Sequence, residues 1–114
     1  VGHHGSHNAT QKNLLDVMSP EIAVISAGNS KVKKPGTAYA YGHPNIGVLE
    51  LLNEGVKRVG TNREVITFSS GWDNDSKLNN SITTTRIDKE ILCTCWEGTV
   101  RVMANRNGKI SVLN

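Results

Sequence analysis

Three histidines, His3, His4 and His7, fall within the first seven residues, and the fourth, His43, stands between Gly42 and Pro44. Imidazole is a common ligand for zinc and similar divalent metals, and Gly5 directly after the adjacent pair lets the backbone turn sharply beside a bound ion. Histidine density alone is an unspecific signal, because His-His-Gly-Ser-His is also the kind of string that cloning leaves as an affinity tag. Only two cysteines occur, Cys93 and Cys95, separated by Thr94. In a strand, alternate residues share a face, yet a one-residue gap seldom closes a good disulfide. Two buried strand positions are therefore expected. A soft-metal site there would need a further Cys or a nearby His, and none is adjacent in sequence.

The elements that must position these residues can be read from apolar periodicity. Asn8 followed by Gln11 resembles a capping box, and Leu14, Leu15 and Met18 form an apolar stripe ending at Ser19-Pro20, so a short amphipathic helix is expected. The continuous run Ile22-Ala23-Val24-Ile25, stopped by Gly28, suits a central strand buried on both faces. Residues 29–41 are basic, contain Pro35-Gly36 and show no apolar period, which reads as a surface loop. Pro44 can open a helix that buries Val48, Leu49, Leu51 and Leu52 and stops at Gly55.

Beyond it, short strands are expected over 56–61 and 65–68, then a mobile polar excursion over 71–81, with strand resuming at Ile82. Val100, Val102, Ile110 and Val112 alternate with polar residues around Asn105-Arg106-Asn107-Gly108, so a terminal β-hairpin turned by the Asn-Gly pair is expected. The succession of helix, strand, loop, helix and strand predicts an α+β arrangement with two main helices packed on a mixed sheet. No internal repeat or heptad occurs.

A chain of 114 residues is sized for one core, and 37% hydrophobic with 4% aromatic residues keeps that core modest. The net charge of +3 leans basic, and Lys31, Lys33 and Lys34 form the densest group. The first reading of that group is a solvated loop, and the second is weak attraction for phosphate. Trp72 and Trp96 offer stacking surfaces, though scattered aromatics more often pack. No apolar run reaches the roughly 18–20 residues needed to cross a bilayer, and no charged-then-apolar leader opens the chain. The expectation is a soluble, cytoplasmic protein. The abrupt start at Val1-Gly2-His3 leads us to expect that the natural N-terminus lies upstream.

Val1-Gly2-His3-His4-Gly5-Ser6, a short helix, the Ala23-Val24-Ile25-Ser26 strand and then Tyr41-Gly42-His43-Pro44 opening another helix resemble, in that order, one family. It is the metallo-β-lactamase-like hydrolases related to the C-terminal domain of the DNA-uptake competence channel protein. The resemblance covers residues 1–61 and resumes over 95–112, with 62–92 as an insertion. It implies a four-layered αββα sandwich, of which this chain would be the C-terminal half, with a site for two divalent metals, zinc or manganese. The other metal-binding cluster and a bridging aspartate would lie in a missing N-terminal half of the same fold.

On this resemblance His4 is the metal ligand, and His3, facing substrate or supporting the site, and His43, beside the cleft, are the catalytic candidates. The choice between His3 and His4 as ligand stays open, and His43 has the alternative role of capping the following helix. Where the family commonly has Thr-Asp this chain has Thr61-Asn62. The implied activity is metal-assisted hydrolysis, with phosphodiester or nucleic-acid substrates favoured and lactams, thioesters and phosphorylcholine esters open.

The main rival is a non-catalytic module that binds protein or nucleic acid through the basic loop and the polar excursion. A third reading is copper or nickel held by a free Val1 amine, two backbone nitrogens and His3. Half of a sandwich leaves one sheet face uncovered, so the other half, a second chain or a homo-oligomer is expected to cover it.

Overall fold

The computed structural model describes residues 1–72 and 78–113. The histidine-rich segment Gly2–Gly5 forms a tight turn whose middle residues have left-handed backbone. It is followed by α1 (Lys12–Met18), β1 (Ala23–Ile25), α2 (Ala38–Tyr41) and α3 (Ile46–Gly55). A long hairpin of β2 (Val59–Trp72) and β3 (Leu78–Lys89) comes next, then β4 (Ile91–Cys93), α4 (Thr94–Glu97), β5 (Arg101–Ala104) and β6 (Ile110–Leu113). The class is mixed α+β, as expected, with four short helices among the described residues.

The strands do not form the single mixed sheet that the element order suggested. Among the described residues they form three two-stranded sheets: β1 parallel to β4, β2 antiparallel to β3, and β5 antiparallel to β6. Hence β1 is not a central strand. Its middle residue, Val24, is half-buried between buried Ala23 and Ile25.

The core gathers Leu15 of α1, Ile25 of β1, Val48, Leu49 and Leu52 of α3, Val56, Val65 of β2, Ile87 of β3, and Ile91 and Cys93 of β4. In α3 the apolar positions fall on one face, with Leu51 only half-buried. The helix starts two residues later than a Pro44 start would give. Asn45 is the N-cap, its side-chain oxygen accepting from the Gly47 amide at 2.9 Å, and the preceding Pro44 is joined to His43 by a cis peptide bond.

The expected capping box at α1 does not form. Gln11 is the N-cap without a side-chain bond, and Asn8 accepts instead from the Ser6 hydroxyl at 2.8 Å. Of the apolar stripe only Leu15 is buried, while Leu14 is 51% and Met18 62% exposed. Leu14 and Met18, with Pro20 and Ile22, line a cleft of about 290 Å³. The chain therefore leaves an apolar surface open on this side.

Residues 56–61 and 65–68 are not two strands, since β2 runs unbroken from Val59 to Trp72 with a register shift between Val59 and Arg63. At that shift a Cβ on Gly60 would lie 2.7 Å from the Lys89 carbonyl oxygen, so the close approach of the two strands requires glycine. The expected excursion over 71–81 is corrected in part: Gly71 and Trp72 continue β2, and Leu78 to Ser81 belong to β3. Residues 73–77 lie outside the described residues. The stretch 62–92 also feeds the core, through Val65, Phe68, Ile87 and Ile91.

The terminal hairpin forms where alternation placed it, pairing Val102 with Val112 and Ala104 with Ile110. At its turn Gly108 takes positive φ and the Asn105 side chain accepts from the Asn107 and Lys109 amides. No helix among the described residues is long and apolar enough to cross a membrane.

Candidate functional site

The two histidine segments are brought together by a few backbone contacts around Gly5. His3, His4 and Gly5 have φ of 43°, 55° and 81°, a left-handed run that costs the two non-glycine residues strain but reverses the chain within one turn. Gly5 is buried against the segment after His43. A Cβ there would lie 2.9 Å from the Pro44 Cβ and 3.4 Å from a side-chain carbon of Ile25. The Asn45 amide donates to the Gly5 carbonyl at 2.9 Å.

From the other side, α2 delivers His43. This four-residue helix lies inside the stretch expected to be loop, capped by the Thr37 hydroxyl and closed by Gly42 at φ 69°. The Gly42 and His43 amides donate to the Tyr39 and Ala38 carbonyls, completing the reversal. His43 therefore does not cap the following helix through its side chain, because Asn45 has that role.

Three imidazoles converge as a result. Ring centroids of His3 and His43 lie 5.5 Å apart, His3 and His4 6.1 Å, and His4 and His43 6.3 Å. They share one cleft of about 410 Å³ with Gly28, Gly36, Ala38 and Tyr41. His7, the fourth histidine, is exposed and does not line it.

The Nδ1 atom of His4 lies 2.6 Å from the Ser26 carbonyl oxygen, just beyond β1. A carbonyl can only accept, so Nδ1 carries the proton, and in neutral His4 the lone pair is on Nε2. A ring oriented in this way is typical of metal-ligating histidines. His43 is only 8% exposed, and its Nδ1 is buried without a hydrogen-bond partner among the described residues. Burial, and then the neighbouring His3 and His4, hold its pKa below the usual histidine range. Tyr41 stacks on this ring at 6.0 Å and 17° while remaining 60% exposed.

His4 thus has the ring orientation of a metal ligand, but the donors among the described residues do not complete a site. Among the described residues no three His, Cys, Asp or Glu side chains are grouped to hold a metal ion. The sequence-based candidates His3, His4 and His43 meet, and Lys31, Lys33 and Lys34 do not line the cleft. Lys33 instead places its ammonium 5.5 Å over the Tyr39 ring. Asn62 points its oxygen to Arg86 at 3.0 Å and takes no part in the cleft. Trp96 is a packing residue: its indole donates to the Ile66 carbonyl at 2.9 Å, and Arg63 lies over its ring.

Cys93 and Cys95 depart from the sequence expectation. They form a disulfide with a Cα separation of 5.1 Å. The alternation argument assumed that strand continues through Cys95, whereas β4 ends at Cys93 and α4 begins at Thr94. The turn between them brings the two Cα atoms within disulfide range.

Sequence reading missed Tyr41 as a contact of His43 and Ser26 as the partner of His4. The first had a signal, an aromatic ring two positions before the histidine across a glycine. The second is a backbone carbonyl, which residue type does not reveal. No protein-family model matches this sequence, and no curated protein or solved structure matches the chain.

Proposed function

We propose that this chain is the C-terminal part of a metal-dependent hydrolase of the metallo-β-lactamase-like class, acting on phosphodiester or nucleic-acid substrates. The observation that carries the reading is the His4 ring, whose Nδ1 is tied to the Ser26 carbonyl in the cleft that also receives His3 and His43. That bond leaves Nε2 of His4 to act as a ligand and favours His4 over His3 for that role. Divalent cations such as zinc would supply water activation and charge neutralisation at a phosphoryl oxygen.

The chain's own residues have further roles in this reading. His43, whose pKa burial holds below the usual histidine range, exchanges a proton with an attacking or leaving oxygen, and His3, its ring 5.5 Å away, contacts the same oxygen. The remaining ligands come from the N-terminal half of the fold, which would also cover the apolar surface beside α1.

A second reading, a non-catalytic binding module, draws support from the make-up of the cleft. Among the described residues its lining includes three histidines and no carboxylate. One experiment separates the two: zinc content and phosphodiester hydrolysis measured on the parent-length protein and on its His4→Ala variant. The hydrolase reading expects loss of bound zinc and of activity in the variant, while full zinc and full activity would overturn it. The chain of 114 residues by itself is expected to bind zinc weakly and to turn over no substrate.

A further inference from the structure

The Cys93–Cys95 disulfide adds little to stability as a staple. Its closed ring contains a single intervening residue, so it removes little chain entropy from the unfolded state. What the intervening residue holds is more informative. The Thr94 hydroxyl accepts from the Ala27 amide at 2.9 Å and donates to the Ala27 carbonyl at 2.8 Å, across 67 positions of sequence. Ala27 follows Ser26, whose carbonyl orients His4, and precedes Gly28, which lines the histidine cleft. The geometry of the Cys-Thr-Cys turn therefore reaches the cleft wall through one side chain.

We propose that Cys93–Cys95 is a thiol–disulfide exchange site for a small thiol or dithiol, and that its state is passed through Thr94 to the Ser26–Gly28 wall and the His4 ring. The proposal is independent of what the cleft binds.

Cys95 is the point of attack, because it is half-buried whereas Cys93 is fully buried. A thiolate joins the Cys95 sulfur, the Cys93–Cys95 bond breaks, and its electron pair leaves on Cys93. The Cys95 amide already donates to the Cys93 sulfur at 3.2 Å, a contact that favours the departing thiolate. A second thiolate then attacks the mixed disulfide at the sulfur of the first reductant. It releases the Cys95 thiolate and leaves the reductant as its own disulfide. The protons lost by the two attacking thiols are taken up by the two cysteines, so the reaction is a balanced two-electron transfer.

The carboxylate on this turn, Glu97, is already engaged. Glu97 accepts from the Cys93 amide at 2.9 Å and forms an ion pair with Arg63. Opening the disulfide frees the backbone at Thr94 to rotate, and the paired bonds to Ala27 are then lost or lengthened.

The test treats the chain with dithiothreitol without denaturant, alkylates it, and reads the added mass together with histidine and amide NMR spectra. Two alkylated thiols are expected in a chain that keeps its dispersed spectrum. Shifts should appear in the His4 ring and in the Ala27 and Gly28 amides, with the exposed His7 ring unmoved. In Thr94→Val, the Ala27 and Gly28 shifts should be present before reduction, and reduction should add little to them. Thiols that react only after denaturation would overturn the proposal. So would global unfolding on reduction, or reaction without any shift at His4 and Ala27.

Discussion

The Asn45 amide donates to the Gly5 carbonyl at 2.9 Å, joining two segments that are 40 positions apart in the chain. On one side of that bond stand His3 and His4, and on the other stands His43. Pro44 packs against the Gly5 Cα so closely that no side chain fits between them. The approach of the imidazoles is thus set by backbone and proline contacts beneath the cleft, with the His4 bond to Ser26 and the Tyr41 stack on His43 added above them.

Gly5→Ala tests this dependence. The alanine would occupy φ near +81° and place its Cβ 2.9 Å from that of Pro44. Left-handed strain and overpacking together are expected to lower stability by about 2–4 kcal/mol. Gly36→Ala, also at positive φ but with nothing within 4 Å, carries only the backbone penalty, about 1–2 kcal/mol. Denaturant unfolding of the two variants side by side reads the difference. Equal losses would show that Gly5 is not clamped.

The convergence of the histidines was legible in part, and the reasons differ by residue. Gly5 signalled a tight turn by type, and the apolar face of α3 and the alternation of β5 and β6 follow from side-chain periodicity. The β2–β3 hairpin was hidden because Thr67, fully buried, and Thr83, Thr84 and Thr85 on its partner strand carry no apolar alternation, and the polar Asn62 and Arg63 interrupt the pattern. The short α2 has too few residues to show a helical period and is held by its Thr37 and Gly42 ends. The disulfide was missed because the strand ends between its cysteines, and strand ends are the least visible feature of a sequence.

Asn45→Ala removes the cap of α3 and is expected to cost about 1 kcal/mol. Asn45→Asp keeps an oxygen acceptor for the Gly47 amide and should restore most of the loss. Urea midpoints at one pH compare the three proteins. If the alanine variant matched the parent, the cap would be without energetic weight.

Tyr41→Ala removes the ring stacked on His43, which is expected to cost about 1 kcal/mol. It also opens His43 to water, and because burial is the first cause of its depressed pKa, the His43 titration should move upward. Tyr41→Phe preserves the stack and should leave both quantities near their parent values. Histidine NMR titration gives the pKa, and an unchanged value in the alanine variant would exclude shielding by Tyr41.

The same depressed pKa fixes the sign of a pH effect on the metal-free chain. Unfolded, His43 titrates near the ordinary histidine value of about 6.5; folded, it titrates lower, through burial first and then through His3 and His4. Between the two values the unfolded chain holds a proton that the folded chain lacks. The contribution of His43 to stability is therefore complete above about pH 6.5 and is lost as the pH falls through the folded pKa. Denaturant midpoints of the parent should fall between pH 7.5 and pH 5, and His43→Gln, which cannot titrate, should fall less. His3→Ala should raise the His43 pKa by removing the nearer of the two charges and so flatten the parent's curve. Parallel curves for the parent and His43→Gln would place the acid sensitivity elsewhere in the chain.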